Sequence, residues 1–467
     1  MTGFTFSIIM AVYDTQDYLD EAIGSVLNQD FDFKKHVQLI LVDDGSNDDS
    51  YDVCLKYQKK YPENIVLAKS EHRGPAGARN VGLEYATGEF VNFLDSDDKL
   101  SLNVLSEVYA FFNEFLTDLV TIPIEYFGAK SGNQYMNYRF TKTGLIDLNE
   151  RFDCPQMSVS TSFIRKEAID DIRFNEKLAN GEDLLFVNKI LLSKLNYGVL
   201  NTAKYHYRKR DDSTSLMDNS FLSAKFFTDK LKGCYMELID YCLKLKGNVF
   251  KFIQYVIVQD LHGSIRSSGF NKYVKDKEEF HDCLEYILSY IEEDIILSQR
   301  KLDEHAKSFL IFFKSRQFHI EKGDGKLSLK SQDHAINNVH NNKIRITKLD
   351  IEDDEVYLEG YINTCCYCDD FKVKANDMVF SVDENNSILS FAGVDWLFKH
   401  EFNFKFNLDD SLDIKIRSCY QEVVMDNKIR FMDDFNNRQD YTVVLEDNII
   451  KIAKVPLKNK IRRVFDW

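Results

Sequence analysis

Three carboxylates, Asp95, Asp97 and Asp98, fall within four positions at the end of the apolar run Phe90-Val91-Asn92-Phe93-Leu94. A strand ending there delivers side chains to one edge of a sheet, and open α/β sheets bind ligands at that edge. Crowded carboxylates repel one another unless a cation sits between them. Hard oxygen ligands suit Mg²⁺ or Mn²⁺, ions that usually carry a substrate's phosphates. The segment, Ser96 included, therefore reads as a divalent-metal and diphosphate site. Taken alone it fits a solvated acidic turn as well, because Asp and Ser favour turns.

Two more strand ends carry polar groups that a nucleotide at the same edge would touch. Tyr13-Asp14 follows the apolar run from Phe4 to Val12, and Asp43-Asp44-Gly45-Ser46 follows the run from Val37 to Val42. Asp44 could accept a hydrogen bond from a base imide N–H. Between them lies His72-Arg73-Gly74-Pro75-Ala76-Gly77-Ala78-Arg79-Asn80, whose small residues let backbone approach a ligand. Arg79 could face base or phosphates, or make a structural salt bridge. No Gly-Lys-Ser/Thr follows, which excludes a P-loop, and no Gly-x-Gly-x-x-Gly follows the first strand, which excludes the dinucleotide fingerprint. Further on, Glu182-Asp183 opens an apolar helix. The helix dipole holds such a carboxylate ionised, and the pair fits a plain first-turn acid too.

These groups need a frame to converge. Helical spacing from Tyr18 to Leu27, Ser50 to Tyr61, Gly77 to Ala86 and Asn103 to Phe115 alternates with strands at Phe4–Val12, Val37–Val42, Ile65–Ala68 and Phe90–Leu94. Leu119 to Ile122 adds a fifth strand. Such alternation implies right-handed βαβ units and a mainly parallel sheet.

Composition bounds the rest. A chain of 467 residues exceeds one ordinary core. Apolar content of 44% and charged content of 29% describe a folded chain, and the formal charge of -16 argues against nucleic-acid binding. The sequence offers no leader and no apolar stretch long enough to cross a bilayer. Nine scattered cysteines fit a reducing cytoplasm, and the cluster Cys365-Cys366-Tyr367-Cys368 lacks a second pair at zinc spacing.

The run of motifs Phe6–Asp14, Val42-Asp43-Asp44-Gly45-Ser46, Gly77-Ala78-Arg79-Asn80, Asp95-Ser96-Asp97-Asp98 and Gly181-Glu182-Asp183 resembles the family 2 glycosyltransferases, over roughly residues 4 to 215. The resemblance implies the GT-A fold, a Rossmann-like mixed α/β sheet, with a UDP-sugar donor, Mn²⁺ or Mg²⁺, and inverting transfer. It implies that Asp44 and Arg79 bind the uracil end, that Asp95 meets ribose or diphosphate, that Asp97 holds the metal and that Asp183 is the base; Glu182 beside it is expected to orient the acceptor or to cap the helix. By the same resemblance Tyr205 to Ser215 closes over the diphosphate: His206 would complete the metal shell or contact phosphate, and Arg208, Arg210 and Ser213 would hold phosphate oxygens. The family commonly has proline where this chain has Ala11, so base contacts there fall to backbone. It often has asparagine near His72, so no side-chain contact is carried over to that position. Residues 124 to 165, with Tyr126, Tyr135, Tyr138 and Phe140, are expected at the acceptor subsite, as sugar-facing rings or as packing.

The expected layout is the transferase domain at 1–216, a helical domain at 217–318, a linker at 319–343 and an antiparallel β-sandwich at 344–457. The last stretch, 458–467, is a basic-aromatic tail suited to an anionic membrane surface or to solvent. The layout resembles enzymes of wall teichoic acid synthesis. It suggests a glycan or polyol-phosphate polymer as acceptor, a place at the inner membrane face, and polymer binding or homo-oligomer formation through the sandwich. A non-catalytic polymer scaffold is the other reading. A nucleotidyltransferase lacks support, because its Gly-rich triphosphate loop is missing.

Overall fold

The computed structural model describes residues 3–210, 226–267 and 269–315, and beyond them the strands between 319 and 454, where side chains are described at only a few positions. The parallel heart of the sheet is built from β1 (Phe6–Val12), β2 (Val37–Asp43), β3 (Ile65–Lys69) and β4 (Phe90–Phe93). Their apolar runs follow from burial on both faces. Phe6, Ile8, Met10 and Val12 pack in one core with Leu19, Ile23 and Val26 of α1 (Gln16–Leu27) and with α5 (Val104–Glu114). Ile9 points the other way, against Gly82 of α4 (Gly74–Tyr85). Two short or flanking helices, α2 (Phe33–His36) and α3 (Ser50–Lys60), join the strands.

The sheet continues through β10 (Ser162–Arg165), β6 (Leu119–Thr121), β11 (Asn196–Val199) and β9 (Gly144–Asp147), giving the order β3-β2-β1-β4-β10-β6-β11-β9. β10 runs antiparallel to both β4 and β6, so the sheet is mixed as expected. After α6 (Lys166–Ile169), α7 (Glu182–Lys194) covers the sheet through Phe186, which stacks on Phe174 at 4.0 Å and meets Phe93 at 5.7 Å. A second small sheet, β5 (Lys99–Leu100), β12 (Tyr205–Lys209), β7 (Ile124–Gly128) and β8 (Gly132–Asn133), lies in that order. The sequence did not announce it.

Helices follow at Glu237–Lys246, Lys251–Arg266 and Lys277–Ser289. Compactness divides the chain after Arg300, so these helices belong with the first unit, whereas boundaries at 216 and 318 were expected. In the second unit, residues expected as a linker instead form three antiparallel strands, His319–Gly323, Lys326–Ser331 and His334–Asn338. The remaining described strands, from Ile344 to Lys454, group into two five-stranded sheets. They pair antiparallel except where Ile344–Glu352 meets Val423–Met425. Ser213 and the tail at 458–467 lie outside the described residues.

Candidate active site

The carboxyl ends of β1, β2 and β4 gather the first set of groups. Ala11 lies in β1 opposite Val42 of β2, so it offers backbone to whatever binds at that edge. Tyr13, just past β1, is 41% exposed, and its ring lies 4.7 Å from that of His72. Asp44 is buried. Its Oδ1 accepts from the Arg73 N–H at 2.9 Å and its Oδ2 from the Gly74 N–H at 2.7 Å. A strand-end acid thus caps α4 from outside, satisfying amides that a helix start leaves open. A base contact by Asp44 would share a carboxylate already bound to two amides.

Arg79, on the second turn of α4, ties distant acids together. Its Nη2 donates to Asp95 Oδ1 at 3.0 Å, and its Nη1 to Asp183 Oδ1 at 2.8 Å and Glu182 Oε1 at 3.3 Å. The side chain is only 8% exposed. Burial opposes its charge, yet Asp183, Asp95 and Glu182 hold it firmly protonated. The uracil role expected of Arg79 finds it occupied elsewhere: the guanidinium sits on the acids at β4 and α7.

Asp183 is the second residue of α7, and its Oδ2 accepts from the Val159 N–H at 3.3 Å. Burial pushes its carboxyl up to about 7; Arg79 opposes the rise, and Glu182 and Asp95 add to it. The helix dipole was expected to keep this group firmly ionised. Desolvation and like charges outweigh that effect, because a first-turn dipole is worth at most ~2 kcal/mol while a buried carboxylate shifts by several units. A carboxyl near neutrality suits proton transfer at ordinary pH.

The Asp triplet spreads its side chains in different directions. Asp95 Oδ2 accepts from Ser160 Oγ at 3.0 Å and lies 3.3 Å from Tyr205 Oη. Ser96 is buried and accepts from Thr15 Oγ1 at 3.0 Å, which anchors the loop to the start of α1. Asp97 Oδ2 accepts from Arg210 Nη2 at 2.6 Å and Nε at 3.0 Å. Asp98 is buried, accepting from Tyr205 Oη at 2.7 Å and from the Arg208 N–H at 2.7 Å. Burial raises both Asp97 and Asp98 above the usual carboxylate range, and neighbouring aspartates add to it.

Arg208 donates from Nε to the Asp97 carbonyl at 2.8 Å, pairs with Glu21, and lies over the rings of Phe127 and Tyr18. His206 is not brought to Asp97. Its Nδ1 lies 3.4 Å from Glu125 Oε2, on β7 beside it. Successive strand residues point to opposite faces, and Tyr205 already takes the face toward Asp95 and Asp98. The expected metal-shell role of His206 therefore does not fit this geometry.

Among the described residues no three His, Cys, Asp or Glu side chains gather as a metal cage. The donor type at Asp97 nevertheless fits a hard dication: a half-buried carboxylate, raised by partial burial and by Asp95, with both Arg210 bonds on one oxygen. Magnesium-like ions commonly use one or two carboxylates and draw other ligands from phosphates and water. Sequence reasoning missed Ser160, Tyr205 and Glu21. The period-two run at Tyr205–Lys209 was the available signal that this stretch is a strand with two working faces.

The family model Glycosyl transferase family 2 matches residues 7–173. Minor teichoic acid biosynthesis protein GgaA of Bacillus subtilis is 31% identical over 390 residues, which is 80% of this chain and 83% of that protein. Its namesake GgaB, from the same organism, is 32% identical over 383 residues; these are 80% of this chain but 42% of GgaB, so the chain spans less than half of that relative. Poly(ribitol-phosphate) beta-N-acetylglucosaminyltransferase TarS of Staphylococcus aureus is 29% identical over 238 residues, 50% of this chain and 40% of that protein. The crystal structure of TarS 1–349 in complex with UDP-GlcNAc superposes with a TM-score of 0.57 at 24% identity, covering 71% of this chain and 98% of that one. That last likeness is one of fold.

Proposed function

The chain belongs to glycosyltransferase family 2, and from that premise we propose that it moves a sugar from a UDP-sugar to a hydroxyl of a cell-surface glycan or polyol-phosphate polymer, with inversion at the anomeric carbon. The observation that carries this reading is the buried guanidinium of Arg79, which joins the donor-side acid Asp95 to Asp183. It puts a proton acceptor beside the acid expected to meet the donor. The UDP-GlcNAc complex of TarS supports a UDP-sugar donor, and the names of GgaA, GgaB and TarS support a teichoic-acid-type acceptor.

In this reading the uracil lies over the ends of β1 and β2, against the backbone at Ala11, the Tyr13 ring and Asp44. Asp95, Ser96 and Arg208 line the path of the ribose and diphosphate. Asp97 would hold Mn²⁺ or Mg²⁺, which would neutralise charge on the leaving diphosphate. Glu182 orients the acceptor, and Asp183 Oδ takes the proton of its hydroxyl. The acceptor's hydroxyl oxygen, giving up that proton, bonds to the anomeric carbon as the bond to UDP breaks, so UDP leaves with the electron pair.

The reaction is assigned to the cytoplasm, at the inner membrane face. No helix among the described residues is long and apolar enough to cross a membrane. The C-terminal strands are assigned to a β-sandwich that holds polymer or a second copy.

The test is a screen of UDP-sugars with Mn²⁺ and a poly(ribitol phosphate) acceptor, following UDP release. Acceptor-dependent release is expected for at least one sugar. Failure of any uridine nucleotide to bind would favour a scaffold instead.

A further inference from the structure

The turn that precedes the base is gripped by the helical region. Gly181 has φ +94°, a conformation that side chains rarely adopt, and a Cβ there would meet Cys234 Sγ at 3.1 Å and Lys230 Cε at 3.2 Å. Both neighbours also bond to the turn. Cys234 Sγ donates to the Gly181 carbonyl at 3.3 Å, the same carbonyl that accepts from the Leu185 N–H to begin α7. Lys230 Nζ donates to Asn180 Oδ1 at 2.7 Å and pairs with Asp260 at 2.7 Å, with its side chain 3% exposed. Tyr235 Oη donates to Asp260 at 2.8 Å. Residues Leu231–Met236 wind as a π-helix, a rare form that recurs at functional sites. One turn further on, Glu237 holds Asn175 at 2.9 Å and Lys189 of α7 at 2.6 Å.

A pair of a buried lysine with a half-buried aspartate is weak evidence for stability, since apolar replacements of such pairs are often neutral or better. What this pair does in the fold is direct a cation at Asn180, three residues before Asp183. We propose that Lys230, held by Asp260, is a positioning residue for Asp183: through Asn180 and Gly181 it fixes where α7 starts and so where the base meets the attacking hydroxyl. The inference rests on the reading of Asp183 as base. Donor contacts depend on it least, because Asp44 bonds to the Arg73 and Gly74 amides and Asp97 to Arg210, and among the described residues Asp95 is bonded to α7 only through Arg79.

The test separates position from stability. Lys230→Met leaves the half-buried Asp260 without its cation and lowers Tm. Combining it with Asp260→Asn removes both charges, keeps an acceptor for Tyr235 and recovers most of the Tm. In both variants kcat is expected to fall about tenfold to a hundredfold, as for a misplaced catalytic group, while the KM for the UDP-sugar stays at the wild-type value. Amide hydrogen exchange at 181–186 rises in both. A double variant with wild-type kcat, or with wild-type exchange at 181–186, overturns the proposal. If the wild-type chain turns over no UDP-sugar, the base reading falls, and the exchange measurement still decides whether Lys230 fixes the turn.

Discussion

Two arginines serve the same sheet edge from different kinds of place. Arg79 comes from inside α4, is 8% exposed at its side chain, and is shared by Asp95, Glu182 and Asp183. Arg210 follows β12 of the small sheet, is 19% exposed, and gives two bonds to one oxygen of Asp97. Both neighbourhoods hold more carboxylates than cations, and burial raises Asp97 and Asp183 alike. The difference is what makes good the missing positive charge. On the α7 side a proton can do so, which describes a base. On the strand side the crowded oxygens suit a dication. One electrostatic shortage, split between two regions, would supply the two functions that the proposed inverting transfer requires.

The comparison breaks most sharply at Asp183. Asp183→Asn keeps the shape and removes the proton acceptor, so UDP release should fall by about 10²–10⁴-fold, with the thermal transition retained. Wild-type turnover by that variant would mean the base is another group. On the strand side, a chelator should reduce turnover about a hundredfold or more, and Mn²⁺ should restore it. Asp97→Asn should reproduce that loss without rescue. Full activity in chelator would leave the shortage at Asp97 to Arg210 alone.

The two regions also differed in how far the sequence foretold them. The strand-end acids were legible because buried parallel strands are apolar throughout, so their polar ends stand out at Asp44 and Asp95. The start of α4 was read late, at Gly77. Its true start at Gly74 places Pro75 in the first turn, where proline is favoured. The small sheet was hidden because β5 is two residues long and its partner β12 reads as a basic loop. The bond from Tyr205 to Asp98 spans 107 residues, and no local pattern encodes such a pairing. The resemblance that set His206 at the metal shell or phosphate likewise carried no information on which face of β12 the residue takes. Residues 319–338 looked like a linker for a related reason: their polar side chains conceal hairpins whose register is set by backbone pairing.

Arg79 sharpens the α7 side. At present it pulls the Asp183 carboxyl down against burial, Glu182 and Asp95. From other elements, the Val159 N–H also faces that group, while Lys230 and Cys234 reach only the turn before it. A base must be deprotonated to act, so activity should rise with pH through about 7. Removing the guanidinium by Arg79→Gln removes the lowering influence, so the acidic limb of kcat should move to higher pH, by about one unit or more. A uracil-binding role would instead raise the donor KM and leave the limb in place. The pH profile of kcat at saturating UDP-sugar distinguishes the two.

The smallest effect is expected on the strand side, at His206. Burial lowers its pKa, so the imidazole is neutral near pH 7 and chemically able to ligate a metal. Its place in β12 decides against that. Tyr205 and His206 are consecutive strand residues; the first reaches Asp98 and Asp95, and the second therefore faces Glu125, with Phe127 and Lys99 about it. His206→Ala should change the Mn²⁺ concentration for half-maximal turnover by less than about twofold, because what it loses is a long 3.4 Å contact between a neutral imidazole and Glu125, of small worth. A tenfold or larger rise would mean that β12 turns this residue toward Asp97 when donor binds, and the division of labour between the two regions would then extend across both faces of the small sheet.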